Sequence, residues 1–265
     1  MARNRPRARL AGVPMNSVNG TEPQMELDGE QPGSLVHRAM HGVAALIRER
    51  GLLIGDNLPG EAELADQMGV SRTVIREAVR GLSVLGIVDI GNGRKPRVAA
   101  ATAFPFVMSL AHATQTGQIT VEQIWEARSC IEIKAATLAA TFRTEAEATR
   151  LIELAQQMSV CEDHAEHMTE LELQFHQLIA AASRNMLFEH LLASFAPLLA
   201  SAVPAAWSTR KTYSEKDEVI EMHTGIANAI AMRDPKAAAR AMERHFSRAI
   251  GYLLQAKYQP SVGSL

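Results

Sequence analysis

The sequence predicts a mainly α-helical chain in two parts: a small helical domain closed by a β-hairpin, then an all-α antiparallel helical bundle. Three observations carry that expectation. Alanine and leucine abound, while aromatics make up only 5% of the 265 residues, a composition that favours helices over a β-sandwich. Apolar residues recur at three- and four-residue spacing along most of the chain. Two short extended runs flank an Asn-Gly turn at residues 87–98, which reads as a hairpin. The 47% apolar content supports a packed core.

Taken in order, residues 1–33 carry Pro, Gly, Asn and charge without an apolar period, and read as a disordered arm. Its Arg3, Arg5, Arg7 and Arg9 are read mainly as a solvated tail. From Ser34 the pattern changes. Leu35, Ala39, Val43, Leu46 and Ile47 trace a first helix that Gly51 ends. Residues 52–58 form an extended link. Residues 61–68 form a short helix broken by Gly69. Ser71 caps a third helix whose inward face is Val74, Ile75, Ala78, Val79, Leu82 and Leu85. Residues 87–90, the turn Gly91-Asn92-Gly93 and residues 94–98 complete the hairpin.

Three helices and a hairpin in this span make a winged helix-turn-helix, residues 34–100. Such a unit presents the start of its third helix to the major groove of DNA and lays its wing on the backbone. Arg72 and Arg76 are four apart and share a face. Thr73 lies beside them and Arg80 continues the row. Arg94, Lys95 and Arg97 cluster at the wing. Arginine grips guanine edges bidentately and threonine suits phosphate or a thymine methyl, so these seven are the candidate DNA contacts. The chain's formal charge of −2 conceals them. Residues 34–100 hold nine basic and seven acidic residues, against 14 and 18 in residues 101–265.

The stretch LPGEAELADQMGVSRTVIREAVRGLSVLGIVDI resembles the signature of the GntR-type bacterial regulators nearly position for position. The resemblance implies operator contacts by Arg72 and Arg76 and by the wing. One departure is Ala62, where many members carry a DNA-contacting arginine; some regulators of sugar-acid operons share the alanine. Residues 101–118 read as a linker helix and 119–258 as the bundle. Residues 121–142 form a long helix stepped by Ile124, Ala127, Ile131, Ala135 and Leu138. Further helices follow at 163–182, 186–202, 214–232 and 235–255, with Thr144 and Glu147 forming a capping box before another and Asp234-Pro235 opening the last. The elements EARSCIEIKAATLAA, ELQFHQLIAAASRN and HTGIANAIAMRDPKAAARAMERH resemble the FCD effector domain of the FadR subgroup, so the likeness runs over about residues 34–255.

Many FCD domains hold a divalent metal through a carboxylate and three histidines, in the pattern Asp-x-x-Phe-His and then one histidine on each of the last two long helices. The resemblance maps these onto Glu172 (Asp in the family), His176, His223 and His245. Such a donor set suits zinc, with nickel or manganese as alternatives. An acid four before a histidine is a cheap pattern among nine histidines and 29 acids: Asp163–His167 shares it, and periodicity does not choose between the two pairs. A separate cluster of Cys161, Asp163, His164 and His167 is a weaker metal candidate. Arg128, on an apolar helix, needs an anionic partner if buried, either Glu132 or a ligand carboxylate. The resemblance turns Arg128 toward an effector pocket and sets Trp207 near where some sugar-acid regulators place a ligand-facing tryptophan. Asn185 is a cap or an effector contact.

The expectation is a cytoplasmic homodimer on double-stranded operator DNA, a repressor of a catabolic operon modulated by a small organic or sugar acid at the metal, and not an enzyme. The alternatives are a metal-sensing regulator and a metal-dependent hydrolase using Glu132 as base. Two cysteines make no disulfide framework, no stretch approaches the ~20 apolar residues of a membrane span, and the basic start lacks the apolar run of a secretory signal.

Overall fold

A computed structural model describes residues 32–91, 94–160, 165–209 and 212–255. The element order is α1 (Pro32–Glu49), α2 (Glu61–Met68), α3 (Arg72–Val84), β1 (Val88–Asp89), β2 (Arg97–Val98) and then seven helices: α4 (Phe104–Gln115), α5 (Val121–Phe142), α6 (Glu145–Ser159), α7 (Ala165–Ala182), α8 (Met186–Ser208), α9 (Tyr213–Ala231) and α10 (Pro235–Gln255). The chain is mainly helical, with one two-stranded antiparallel sheet among the described residues. Most of the arm and the Asn92-Gly93 turn lie outside the described residues.

The apolar side chains form two separate clusters. The first joins Ala39, Val43 and Leu46 of α1 to Leu64 of α2 and Ile75, Ala78, Val79 and Leu82 of α3. Leu85, expected inward, is exposed, because α3 ends at Val84 and the chain turns away at Gly86. Ser71 Oγ accepts the Val74 N–H at the start of α3, which satisfies one of the donors a helix start leaves open. Gly69 ends α2 in the left-handed region at φ 64°, a conformation glycine adopts without Cβ strain. The extended link is stitched to the wing: Leu58 N–H donates to Pro96 O, Val98 N–H to Asp56 O and Gly55 N–H to Val98 O. This holds the wing beside α3.

The second cluster fills the bundle and draws on α5 to α10. The linker helix α4 packs along α8. The capping boxes at Thr120–Gln123, Thr144–Glu147 and Thr212–Glu215 are all formed. Thr144→Ala removes one, and should lower stability by about 1 kcal/mol, seen as a lower urea midpoint with unchanged slope.

Two expectations change. The buried face of α5 is Ile124, Trp125, Arg128, Glu132, Ala135, Ala136, Ala139 and Ala140, whereas Ala127 is exposed and Ile131 and Leu138 only half-buried. A charged pair occupies the inside, and small alanines set the helix's closest approach to its neighbours. Helix α8 also runs past residue 202 to Ser208, through Pro197 and Pro204. Proline removes a ladder hydrogen bond and bends a helix without always ending it; here Met186–Ala200 and Ala202–Ser208 meet at 52°.

Candidate DNA-reading face and buried histidine–carboxylate centre

The DNA-reading candidates gather on one surface. Arg72, Thr73 and Arg76 are exposed on the first turns of α3, with Arg80 one turn on. A cleft between α3 and the wing is lined by Glu61, Arg76, Arg80, Arg94 and Lys95, among others. Three of its cations have partners: Arg76 with Glu61 at 2.9 Å, Arg80 with Glu77 at 2.9 Å and Arg94 with Asp89 at 2.6 Å; beside the cleft, Arg97 Nε donates to Asn57 Oδ1 at 3.1 Å. Arg72 and Lys95 carry no ion-pair partner among the described residues. Glu61 and Asp89 were not singled out from the sequence, since contacts between α2 and α3 or across the wing are not spaced along one helix; Glu77, three residues before Arg80 on α3, was visible as a helical pair and was passed over.

At the heart of the bundle, Glu172 and His176 of α7, His223 of α9 and His245 of α10 place one ligand atom each within 4.8 Å of one another. The three histidines are buried. Glu172 Oε1 lies 3.3 Å from His223 Nε2, and Oε2 lies 3.8 Å from His176 Nε2. A tetrahedral centre with bonds of about 2.1 Å has edges of roughly 3.4 Å, so these spacings suit a single cation.

The hydrogen bonds behind the ligand atoms orient them. His223 Nδ1 lies 2.8 Å from Val219 O. A carbonyl only accepts, so Nδ1 carries the proton and Nε2 keeps its lone pair for the centre. His176 Nδ1 is bonded to a carboxylate oxygen of Glu132, which fixes its tautomer the same way. His176 Nε2 is then a buried acceptor with no hydrogen-bond partner. A buried polar atom without a partner is costly, and a cation at the centre would satisfy it. The residues therefore fit a divalent metal.

Glu132 is fully buried and also meets Arg128 Nη2 at 2.7 Å and Nε at 2.8 Å. Burial pushes the Glu132 carboxyl up, but the Arg128 charge and then His176 outweigh burial and hold its pKa below the ordinary glutamate value. The Arg128 guanidinium lies 4.9 Å from the Trp125 ring centroid and 5.3 Å from that of Phe246, a face that favours cations. Of the two partners open to Arg128, the structure supplies Glu132. Saturated by Arg128 and His176, Glu132 has no position from which to act as a water-activating base.

A cavity of about 20 Å³ adjoins the centre, lined by Trp125, Glu172, Trp207, Met222 and His245 among others. Trp207 lies in the last turn of α8 and borders this cavity. Trp125 was missed, its only signal being its place three residues before Arg128. Neither Arg128 nor Asn185 lines this cavity. Arg128, with His176, borders a larger one of about 640 Å³ between α6, α7 and α8. Asn185 caps α8, its Oδ1 accepting the Leu187 N–H at 3.1 Å. Of the rival pair, His167 is exposed beside Glu170, while Cys161, Asp163 and His164 lie outside the described residues.

Comparison with known proteins decides the family. Residues 35–98 match the bacterial regulatory proteins of the gntR family and residues 123–248 match the FCD domain. The HTH-type transcriptional regulator YcbG of Bacillus subtilis is 31% identical over 228 residues, covering 83% of this chain and 91% of that protein. The chain belongs to the GntR family of bacterial transcriptional regulators. It carries the FCD domain that marks the FadR subgroup. The Glc operon transcriptional activator of Escherichia coli is 28% identical, covering 77% of this chain and 82% of that protein. The transcriptional repressor NanR of Enterobacter is 28% identical over 76% of this chain and 78% of its own length. A solved structure, the Streptococcus agalactiae GntR, superimposes with a TM-score of 0.56 at 25% identity, over 80% of this chain and 97% of that one. This GntR regulator is therefore a DNA-binding transcription factor, and its relatives are regulators rather than enzymes. No single helix among its described residues is long and apolar enough to cross a membrane.

Proposed function

We propose that this regulator is a homodimeric repressor of a catabolic operon, that Arg72, Thr73, Arg76, Arg80, Arg94, Lys95 and Arg97 hold the operator, and that a small carboxylate at a metal bound by Glu172, His176, His223 and His245 sets its DNA affinity. The observation that carries the reading is the buried donor set itself. Three histidines and a carboxylate converge from three helices, with the outer nitrogens of His176 and His223 bonded to Glu132 and Val219. Zinc suits these donors best, with nickel and manganese as alternatives. The metal would supply a fixed positive charge for a carboxylate to approach, and Trp207 would face that ligand. Relatives named for control of the glc operon, one an activator, and a repressor among the others, support a metabolic role.

A ligand changes DNA affinity only through preference for one arrangement of the protein. The 20 Å³ beside the centre holds about one water. On this side an organic acid reaches the centre only if the Trp207 end of α8 moves, and α8 is the helix against which the linker α4 packs. The same tight cavity favours a second reading, in which the metal alone is the signal. Titrating operator binding with zinc and chelator, and then with organic acids on metal-loaded protein, separates the two: a response only to acids supports the carboxylate, and a full response to metal alone supports the sensor.

Glu132 supports the centre from behind. Glu132→Gln keeps its shape and removes its charge, and should weaken metal binding by about 10- to 100-fold in a competition titration. Unchanged affinity would show that the carboxylate has no part in holding His176.

A further inference from the structure

Arg76 and Glu61 form the one ion pair that ties α2 to α3 on the DNA-reading face among the described residues. Glu61 sits in the first turn of α2, where the helix dipole favours a carboxylate, and Gly60 before it provides no side-chain cap. Arg76 Nε lies 3.2 and 3.4 Å from the two Glu61 oxygens, and Nη2 lies 2.9 Å from Oε2. Both side chains are substantially exposed, so the pair adds little to stability. Its content is geometric. The carboxylate takes the Nε/Nη2 side of the guanidinium, and none of its bonds reaches Nη1, so the Nη1/Nη2 end is left for a second partner. That end is the fork that matches guanine O6 and N7. Ala62, next in the chain, offers no cation to draw Glu61 away. The carboxylate also stands in a cleft whose other charged lining residues, Arg76, Arg80, Arg94 and Lys95, are cations, where it opposes a phosphate that arrives without the matching base.

We propose that Glu61 is a positioning residue for sequence readout, which holds Arg76 end-on for one guanine in each half-site and lowers binding to non-cognate DNA. The proposal rests on the reading of Arg76 as a base contact.

The test uses the full-length protein and a pool of random duplexes, selected by binding and then sequenced, for wild type, Glu61→Gln, Glu61→Ala and Arg76→Ala. The wild type should enrich a symmetric motif with a guanine in each half. Arg76→Ala should lose the preference at that guanine, a discrimination of roughly tenfold or more. Glu61→Ala should lose most of the preference at the same position, with Glu61→Gln intermediate, while the rest of the motif persists and binding to the unselected pool rises. Thermal melts of all four proteins should coincide within about 2 °C, as expected for an exposed pair. A guanine preference that survives Glu61→Ala intact overturns the positioning role alone. A preference that survives Arg76→Ala overturns the reading of Arg76 and the positioning role with it. A Glu61→Ala loss spread evenly over every position of the motif also overturns the proposal, since a single held arginine cannot produce it.

Discussion

The double variant His176→Ala/His223→Ala should hold no stoichiometric metal and should lose the thermal stabilisation that metal gives the wild type. The expectation follows from where these side chains sit. Each comes from a different helix, α7 or α9, and each is already protonated on its far nitrogen by a hydrogen bond to Glu132 or Val219. Removing both leaves Glu172 and His245, a pair too few for a closed site. Binding to the folded state stabilises by RT ln(1 + [L]/Kd), or about 2.7 kcal/mol at a hundredfold excess over Kd. For a chain of this size that corresponds to a melting shift of roughly 5–10 °C. Elemental analysis and paired melts with and without metal check both parts. A double variant that keeps one equivalent of metal rejects the site. The cavities left by two imidazoles would lower the melting point of the apo protein too, so the informative quantity is the increment on adding metal.

Arg72→Ala/Arg76→Ala should abolish recognition of the operator while leaving the bundle and its metal intact. Each good bidentate contact to a base is worth about 1–3 kcal/mol, and 1.4 kcal/mol is tenfold in affinity. Loss of both in each half of a dimer should reduce operator affinity by at least 10³-fold. Because Arg72 has no ion-pair partner among the described residues while Arg76 is held by Glu61, the single variants should differ. Arg72→Ala should flatten the salt dependence of binding, as loss of a cation that neutralises phosphate requires. Arg76→Ala should instead narrow the gap between operator and random DNA. Fluorescence anisotropy across a salt series measures both, and unchanged operator affinity in the double variant would reject this face as the reader.

Much of this was legible in the residues. The helix starts followed from local chemistry: Ser71 over Val74, Thr144 with Glu147, and Asp234 before Pro235 each satisfy donors within three residues. Contacts that span a single turn are written in the order of the chain. The Glu172–His176 pair was visible for the same reason, though only likeness to the FCD family chose it over Asp163–His167. Some readings misled. The apolar stripe chosen for α5 passed over Arg128 and Glu132, since hydrophobic periodicity assumes that charges face water. The helix expected to end at residue 202 continues through Pro204, bends, and carries Trp207 to the edge of the histidine–carboxylate centre.

The sequence by itself determined the helical class, the helix starts and the winged unit with its gathered arginines, while likeness to the FCD family singled out the four candidate metal ligands. Tertiary structure alone decided what each charged group meets. Glu132 lies 44 residues before His176 and Glu61 lies 15 before Arg76, and neither separation is a helical period. Those pairings arise where packing brings α5 against α7 and α2 against α3, and a carboxylate removed from water, or held at a helix end, takes whichever cation the packing presents.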